Sequence, residues 1–212
     1  MSLTELDLAS LLCSRLCHDL LSPVGALNNG LELLADETDP EMRERCLELL
    51  ADSARASAQK LKYFRLAFGA AGGFGEAIDS NEPKELVEAL LADKSRITFD
   101  WLVTAPSLPK SAVKVLLNLT LIGVDALVRG GALTVGAEQN EGRMEIVVRA
   151  TGPKVVVDAG IAKALVGELS DSELSARTAA AYMVERIVGL HSGEIQLVSE
   201  PEQMVIGAML SV

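Results

Sequence analysis

The sequence predicts an α+β fold in two parts, an N-terminal helical hairpin followed by an α/β sandwich. In the first third of the 212-residue chain, apolar residues recur at steps of three and four, which indicates long amphipathic helices. After a glycine-rich stretch at residues 69–75, short runs with period-two alternation mix with helical segments, as is typical of a mostly antiparallel sheet under helices. We therefore expect a hairpin over residues 1–70, a glycine-rich linker over 71–78 and a second domain over 79–212.

The first helix is predicted over residues 4–36 by an apolar seam with helical spacing. Thr4 and Asp7 resemble a capping box at its start. Pro23 lies beside the irregular step of the seam, so a kink is expected there. The seam contains Leu6, Ala9, Cys13, Leu16, Leu20, Val24, Leu27, Leu31 and Leu34.

A second helix is expected after a turn at residues 36–39, with Thr38 or Asp39 as its N-cap and Pro40 in the first helical position. Its seam has the same spacing and extends over residues 47–68. A single hairpin cannot bury both its seam and its flanks. We therefore expect two copies of the chain to pair into a homodimeric four-helix bundle.

The second domain is predicted from alternating helical and strand-like segments, with no internal repeat. Residues 139–142, Gln-Asn-Glu-Gly, are typical of a hairpin turn, and residues 200–202 connect the last two strands. Helices are expected at 83–92, 110–128, 157–167 and 175–191, and strands at 96–103, 132–138, 143–150, 194–199 and 203–210.

The charge and hydropathy of the chain exclude several functions. With 19 Lys and Arg against 30 Asp and Glu, the net charge is −11, so the basic surface that nucleic-acid binding requires is missing. The first residues lack the basic and apolar segments of a signal peptide. The longest charge-free stretch, residues 20–31, is shorter than the roughly 20 apolar residues that cross a bilayer. We expect a cytoplasmic protein that binds neither nucleic acid nor membrane.

Metal centres and disulfide frameworks are not expected either. The chain has two histidines and an odd number of cysteines, three. Cys13 and Cys17 are one helical turn apart, and Cys46 is on the second helix. A metal site would need a fourth ligand, and Cys13 belongs to the seam, where cysteine usually behaves as a small buried apolar residue.

His18 is the candidate reactive residue. At about 100° per residue, its side chain points away from the seam residues Leu16 and Leu20. Asp19 can accept a hydrogen bond from one ring nitrogen, which leaves the other nitrogen nucleophilic. On position alone, a solvated side chain is the more common interpretation. The same helix face holds Leu11, Ser14, Arg15, Leu21, Ser22, Gly25 and Asn29, and its small residues leave room for a partner.

Residues 18–24, His-Asp-Leu-Leu-Ser-Pro-Val, resemble the H-box of sensor histidine kinases, in which an acid follows the histidine and a proline comes five residues later. The order of hairpin, glycine-rich joint and sandwich is also similar to that of these kinases. Their dimerisation and phosphotransfer domain precedes a GHKL-type ATP-binding domain. The resemblance implies that His18 accepts a phosphoryl group.

Three nucleotide-binding elements of such kinases are broken in this sequence. Asn118 resembles the first asparagine of the N-box, but Ile122 stands where the second is expected. In the Asp-x-Gly-x-Gly turn, Ala150 replaces the adenine-binding carboxylate and Lys154 replaces the last glycine. The phosphate loop corresponds to residues 176–181, which contain no glycine, although bare backbone is what lets amides approach a phosphate. We expect no ATP binding.

The whole pattern is similar to the ChpT-type histidine phosphotransferases of alphaproteobacteria, which are dimers with a kinase-like hairpin and a degenerate ATP-binding domain. Residues 15–30 and 64–69 carry the similarity. It implies a phosphorelay in which the receiver of a CckA-like hybrid kinase phosphorylates His18, and His18 phosphorylates CtrA-like and CpdR-like response regulators. It also implies no cofactor on this chain, because the receiver brings the Mg²⁺ ion. His191 is then a structural remnant.

The receiver is expected to dock around His18 and on the second helix. Residue 18 lies opposite about residue 58 in a hairpin that turns near Thr38, so Gln59, Lys62 and Arg65 are candidates, with a solvated helix face as the alternative for the two cations. Two other functions stay open, a divergent ATP-dependent histidine kinase and a non-catalytic dimeric scaffold. The predicted partner-binding residues are Arg15, Leu21, Ser22, Gly25, Asn29, Lys62 and Arg65.

Overall fold

The hairpin is formed by α1 (Glu5–Asp36) and α2 (Pro40–Ala67) in a computed structural model that describes residues 5–69 and 77–212. The Asp39 carboxylate accepts a hydrogen bond from the Glu41 backbone amide, so Asp39, one of the two predicted candidates, is the N-cap, and Pro40 begins the helix as predicted. The helix assignment of α1 continues through Pro23, and the kink there stays a prediction. The predicted capping box rests on Thr4, which lies outside the described residues.

The second domain contains the predicted helices and strands together with three short elements that were not predicted. The new elements are strands β1 (Ala77–Asp79) and β3 (Ser107–Pro109), which pair with each other, and a 3-10 turn at Asp171–Glu173. The others are α3 (Asn81–Leu91), β2 (Ile97–Val103), α4 (Lys110–Ala126), β4 (Gly131–Asn140), β5 (Arg143–Thr151), α5 (Ala159–Leu165), α6 (Ala179–Leu190), β6 (Glu194–Glu200) and β7 (Gln203–Ser211).

Two predicted boundaries are corrected by the structure. The linker expected over 71–78 ends earlier, because residues 77 and 78 already belong to β1. The helix expected from residue 175 begins at Ala179. The reason is local, since the Ser175 backbone amide donates to the Thr178 hydroxyl at 3.0 Å and forms a turn ahead of the helix. Most of the glycine-rich stretch at 69–75, expected to be a joint, lies outside the described residues.

The main sheet has the strand order β2-β4-β5-β7-β6, and it is antiparallel except for the parallel pair of β2 and β4. This confirms the mostly antiparallel sheet. Glu141 and Gly142 form the tight turn between β4 and β5, both with positive φ, as a two-residue hairpin loop requires. Alternate residues of the strands face α4 and α6 in the core, among them Leu133, Val135, Ile146, Val148 and Ile206.

The C-terminal part of α2 belongs to the core of the second domain. Tyr63, Phe64 and Ala67 are buried in the same apolar cluster as the residues of α4. The Tyr63 hydroxyl donates to the Leu117 carbonyl at 2.6 Å, and Asn118 Nδ2 donates to the Ala67 carbonyl at 3.0 Å. The hairpin is therefore docked on the second domain through buried apolar surface and two buried hydrogen bonds.

Much of the predicted seam is exposed in the single chain. Cys13, expected to be buried, is exposed, whereas Cys46 is buried. The hairpin alone does not enclose the apolar side chains that its helical spacing brings to one side. Among residues 5–69 and 77–212, no helix is both long and apolar enough to cross a membrane. Exposed apolar residues of the hairpin include Leu6, Leu21, Val24, Leu31, Leu33, Leu47, Leu49 and Leu61.

Candidate functional site

His18 lies on α1 with 82% of its side chain exposed, and its ring is oriented by the next residue. Its Nδ1 atom is 3.1 Å from Asp19 Oδ1. An ionised carboxylate can only accept a hydrogen bond, so Nδ1 carries the hydrogen in this contact. The Nε2 atom of this exposed ring therefore keeps its lone pair, which is the arrangement of a nucleophilic imidazole.

The Asp19 carboxylate is itself held by Arg15, one helical turn earlier. Arg15 Nε donates to Asp19 Oδ2 at 2.8 Å, so the two carboxylate oxygens bind different partners. The backbone carbonyl of Asp19 accepts a hydrogen bond from Lys60 Nζ at 2.9 Å, which connects this point of α1 to α2. The side chain next to the imidazole is thus oriented by charge-assisted hydrogen bonds.

Arg15 also contacts the second domain. Its Nη2 atom donates to Asp125 Oδ2 on α4 at 3.2 Å, and only 17% of the Arg15 side chain is exposed. Asp125, Arg15, Asp19 and His18 therefore form a continuous chain of hydrogen bonds between the two parts of the protein. The predicted receiver contact of Arg15 stays a prediction, because the structure places its guanidinium between two carboxylates of this chain.

Burial and neighbouring charges shift the pKa values of Arg15 and Asp125 in opposite directions. Burial lowers the pKa of Arg15, but the hydrogen bonds and negative charges of Asp19 and Asp125 outweigh that effect and raise it above its ordinary value. Asp125 keeps 52% of its side chain exposed, and its partial burial raises the pKa of its carboxyl, which the positive charge of Arg15 only partly opposes. The guanidinium is therefore the fixed charge of the site, and Asp125 is its titratable partner.

A cavity of about 510 Å³ separates the His18 face of α1 from the second domain. Val156, Val157 and Ile161 give the second-domain side an apolar character. Arg177 and Asp158 also line the cavity and pair with each other at 3.1 Å. The lining residues on α1 and α4 are Ser14, Arg15, His18, Asp19, Ile122, Asp125 and Ala126.

Two of the three altered nucleotide-binding elements contribute residues to the lining of this cavity. Ile122, at the position expected for the second N-box asparagine, is a buried apolar part of the lining. Residues 176 and 177, at the position expected for the phosphate loop, form another part. Ala150 is fully buried in the sheet. Asn118 is buried, donates to the Ala67 and Lys114 carbonyls, and its Oδ1 has no partner within the described residues. Ile122 and Ala150 offer no polar side-chain atom at these two positions.

The other predicted residues differ in their exposure and surroundings. His191 ends α6, and its Nδ1 lies 3.1 Å from the Ser211 carbonyl, outside the cavity lining, which fits a structural role. Gln59 is partly buried. A Cβ atom added at Gly25 would meet nothing within 4 Å, so this face of α1 is open. The remaining predicted partner-binding residues are all exposed: Leu21, Ser22, Gly25, Asn29, Lys62 and Arg65.

Two members of the site were not found from the sequence, Lys60 and Asp125. The opposition of residue 18 to about residue 58 places Lys60 within reach, so the geometry of the hairpin was a usable signal for it. Asp125 lies on a helix 110 residues away from Arg15 in sequence, and no local pattern connects the two. Within the described ranges, no group of three His, Cys, Asp or Glu residues could hold a metal ion.

A known protein family, a known protein and solved structures are similar to most of this chain. Residues 80–203 match the family model of the histidine phosphotransferase C-terminal domain. The chain is 41% identical over 151 residues to the protein phosphotransferase ChpT of Brucella abortus (strain 2308), covering 71% of this chain and 70% of that protein. The chain belongs to the histidine phosphotransferase family. The predicted function, a histidine phosphotransferase of a phosphorelay, is thereby confirmed, and it implies receiver domains and response regulators as partners.

Solved structures support the fold of this phosphotransferase. A bacterial phosphotransferase structure at 1.7 Å resolution superimposes with a TM-score of 0.85 at 33% identity, covering 98% of both chains. The histidine kinase domain of the blue-light activated kinase EL346 of Erythrobacter litoralis has a TM-score of 0.51 at 8% identity, covering 90% of this chain and 94% of that one. The likeness to the kinase concerns the fold alone, and it confirms the predicted α+β architecture.

Proposed function

We propose that His18 is the phosphoacceptor of this histidine phosphotransferase. The observation that carries the proposal is an exposed imidazole whose Nδ1 contacts Asp19, which leaves Nε2 as the nucleophilic nitrogen. No other histidine of the chain has this combination, since the ring of His191 contacts a backbone carbonyl at the end of α6.

The transfer requires little from the protein beyond orientation. The His18 Nε2 lone pair attacks the phosphorus of an aspartyl phosphate on a docked receiver, an N–P bond forms, and the P–O bond to the receiver carboxylate breaks. The receiver carboxylate leaves as the anion. The imidazole keeps its Nδ1–H and becomes an imidazolium, which Asp19 stabilises through its negative charge. The reverse sequence on a second receiver regenerates the neutral ring, and the Mg²⁺ ion is supplied by the receiver.

The proposal includes the absence of ATP chemistry. A kinase would need a polar N-box, a carboxylate for adenine and a flexible phosphate loop, and here Ile122, Ala150 and residues 176–181 occupy those positions. These substitutions support a carrier that takes its phosphoryl group from another protein, in place of the divergent ATP-dependent kinase.

The proposal also covers the partners. A CckA-like hybrid kinase receiver would load His18, and CtrA-like or CpdR-like response regulators would unload it, all in the cytoplasm. The docking surface combines the open face of α1 at Ser22 and Gly25 with Lys62 and Arg65 on α2. The exposed apolar residues of the hairpin support a homodimer, because a second hairpin would remove them from water.

Phosphotransfer from a radiolabelled phospho-receiver tests the proposal. Wild type and His191→Ala should become labelled, and His18→Ala should not. His191→Ala is the matched control because it removes the other histidine of the chain. Labelling by ATP alone that disappears in His18→Ala would establish the divergent kinase. Failure of every phospho-receiver to label wild type would establish the scaffold.

A further inference from the structure

The second domain has lost its nucleotide-binding residues, yet it stays packed against the hairpin at the level of His18. The hydrogen bond from Arg15 Nη2 to Asp125 Oδ2 connects the second domain to the side chains around His18. Asp125 is on α4 and lies outside the three altered nucleotide-binding elements at residues 118–122, 150–154 and 176–181. Its role is not explained by the transfer chemistry of His18 and Asp19.

We propose that Asp125 is a positioning residue through which the second domain controls the orientation of the His18 imidazole. Asp125 holds Arg15, Arg15 holds Asp19, and Asp19 binds the ring hydrogen. The significance of this chain for phosphotransfer rests on the proposed function of His18. The network itself stands on the three contacts and is measurable without any phosphoryl donor.

The shape of the guanidinium explains why Asp125 matters. Arg15 presents a planar fork, with Nε directed at Asp19 and Nη2 at Asp125, so the two carboxylates together determine the plane of the group. Removal of the Asp125 charge leaves the guanidinium with a single anchor, about which it can rotate. Asp19 Oδ2 then loses its directed donor, and the contact of Asp19 Oδ1 with His18 is weakened.

Other charged groups near His18 do not supply this restraint. Lys60 binds the backbone carbonyl of Asp19 and leaves its carboxylate free to turn. Arg177 and Asp158 line the cavity but pair with each other at 3.1 Å. With both carboxylates ionised, Asp125, Arg15 and Asp19 carry one net negative charge, which matches the imidazolium that forms on phosphorylation.

Histidine tautomers, read from ¹⁵N chemical shifts of protein labelled at its histidine rings, test the proposal directly. At about pH 8.5, where a histidine side chain is neutral, we expect His18 to populate mainly the Nδ1–H tautomer in wild type. Asp125→Asn keeps the size of the side chain and should lower that fraction measurably. Asp125→Glu should restore it. The His191 signal, identified with His191→Ala, serves as an internal reference in every spectrum.

Kinetics with the phospho-receiver provide the second measurement. Asp125→Asn should lower kcat about tenfold, within the range for residues that act through a network, and leave KM unchanged. Glu173→Gln is the matched control, because it removes a carboxylate from a second-domain ion pair with Lys163 that is outside the cavity lining. It should change neither the tautomer nor kcat.

Each failure has a distinct meaning. An unchanged His18 tautomer in Asp125→Asn overturns the proposal. An increase in KM with kcat unchanged also overturns it, because Asp125 would then contact the receiver directly. Persistent labelling of His18→Ala would instead refute the proposed phosphoacceptor, and the tautomer spectra of the two Asp125 variants would still report on the network.

Discussion

Lys60 Nζ lies 2.9 Å from the backbone carbonyl of Asp19, so the second helix of the hairpin holds the first helix at the residue that follows His18. The carbonyl is inside α1, and the ammonium adds a charge-assisted hydrogen bond across the hairpin.

Lys60→Met retains the apolar stem of this side chain and removes the donor. We expect the free energy of unfolding to fall by about 1 kcal/mol in urea denaturation, because a partly exposed hydrogen bond is lost without creating a cavity. Lys62→Met, on the exposed face of the same helix, is the matched control and should change stability by less than about 0.5 kcal/mol. Equal losses in the two variants would contradict a specific role for the contact.

Tyr63→Phe tests the buried junction between α2 and α4. Its hydroxyl donates to the Leu117 carbonyl at 2.6 Å, and burial raises its pKa, so the group is a neutral donor at all ordinary pH values. Loss of the hydroxyl should cost about 1–2 kcal/mol of unfolding free energy. Tyr182→Phe removes the hydroxyl of the other tyrosine, which is partly buried, and should cost less. A larger effect at Tyr182 would show that the junction is not held by this bond.

Arg15→Lys preserves the charge of Arg15 and removes its fork. The three N–H donors of an ammonium share one nitrogen, so they cannot replace Nε and Nη2, the two separate nitrogens that bind Asp19 and Asp125. Phosphotransfer should therefore slow by about tenfold while the fold is retained. Rapid-quench measurement of receiver-to-protein transfer gives the rate, and circular dichroism checks the fold. Arg55→Lys provides the comparison, because Arg55 makes a single exposed ion pair with Asp52 on α2. Wild-type transfer by Arg15→Lys would mean that charge alone is sufficient.

The raised pKa of Asp125 should make the free energy of unfolding depend on pH. Its pKa in the folded state is raised above the ordinary value of 3.8, so the folded protein binds this proton more tightly than the unfolded chain does. The Asp125 contribution therefore favours folding at low pH and is lost as the pH rises from about 4 through the raised folded pKa. Urea titrations of wild type and Asp125→Asn should show the stability difference falling over this window, whereas a constant difference would contradict the shift.

Leu31→Asp should disrupt the proposed dimer. Leu31 is 57% exposed in the single chain, and burial of a leucine in a bundle contributes roughly 2 kcal/mol per subunit. Light scattering after gel filtration should show a monomer where wild type is a dimer. Leu190→Asp alters an even more exposed leucine on α6, 80% exposed, and should leave the dimer intact. Dimerisation of Leu31→Asp would place the interface elsewhere.

The sequence predicted features whose signals are local. The Asp39 cap, the turn at Glu141 and Gly142, and the seam spacing depend on residues close together in the chain, and each has a stereochemical cause. Strands β1 and β3 were missed because three residues are too few to show alternation.

The residues of the site also divide into those that local sequence predicts and those that only tertiary packing brings together. Asp19 was predictable because it adjoins His18, and the H-box resemblance pointed to both. The pairing of Arg15 with Asp125 is a tertiary contact between α1 and α4, and only the packing of the second domain on the hairpin brings the two side chains together. The exposure of Cys13 was not foreseen, because the helical period identifies an apolar side of a helix but not the molecule that covers it.

The burial of Tyr63 and Ala67 against α4 has a consequence for the timing of the relay. A histidine kinase has to bring its nucleotide domain to the histidine and then withdraw it before a receiver can enter. In this protein such a swing would open the core, and the proposed transfer from receiver to receiver does not require it. We therefore expect the second domain to stay docked on the hairpin throughout the relay. The rate of signalling would then depend on how quickly receivers bind, exchange their phosphoryl group and dissociate.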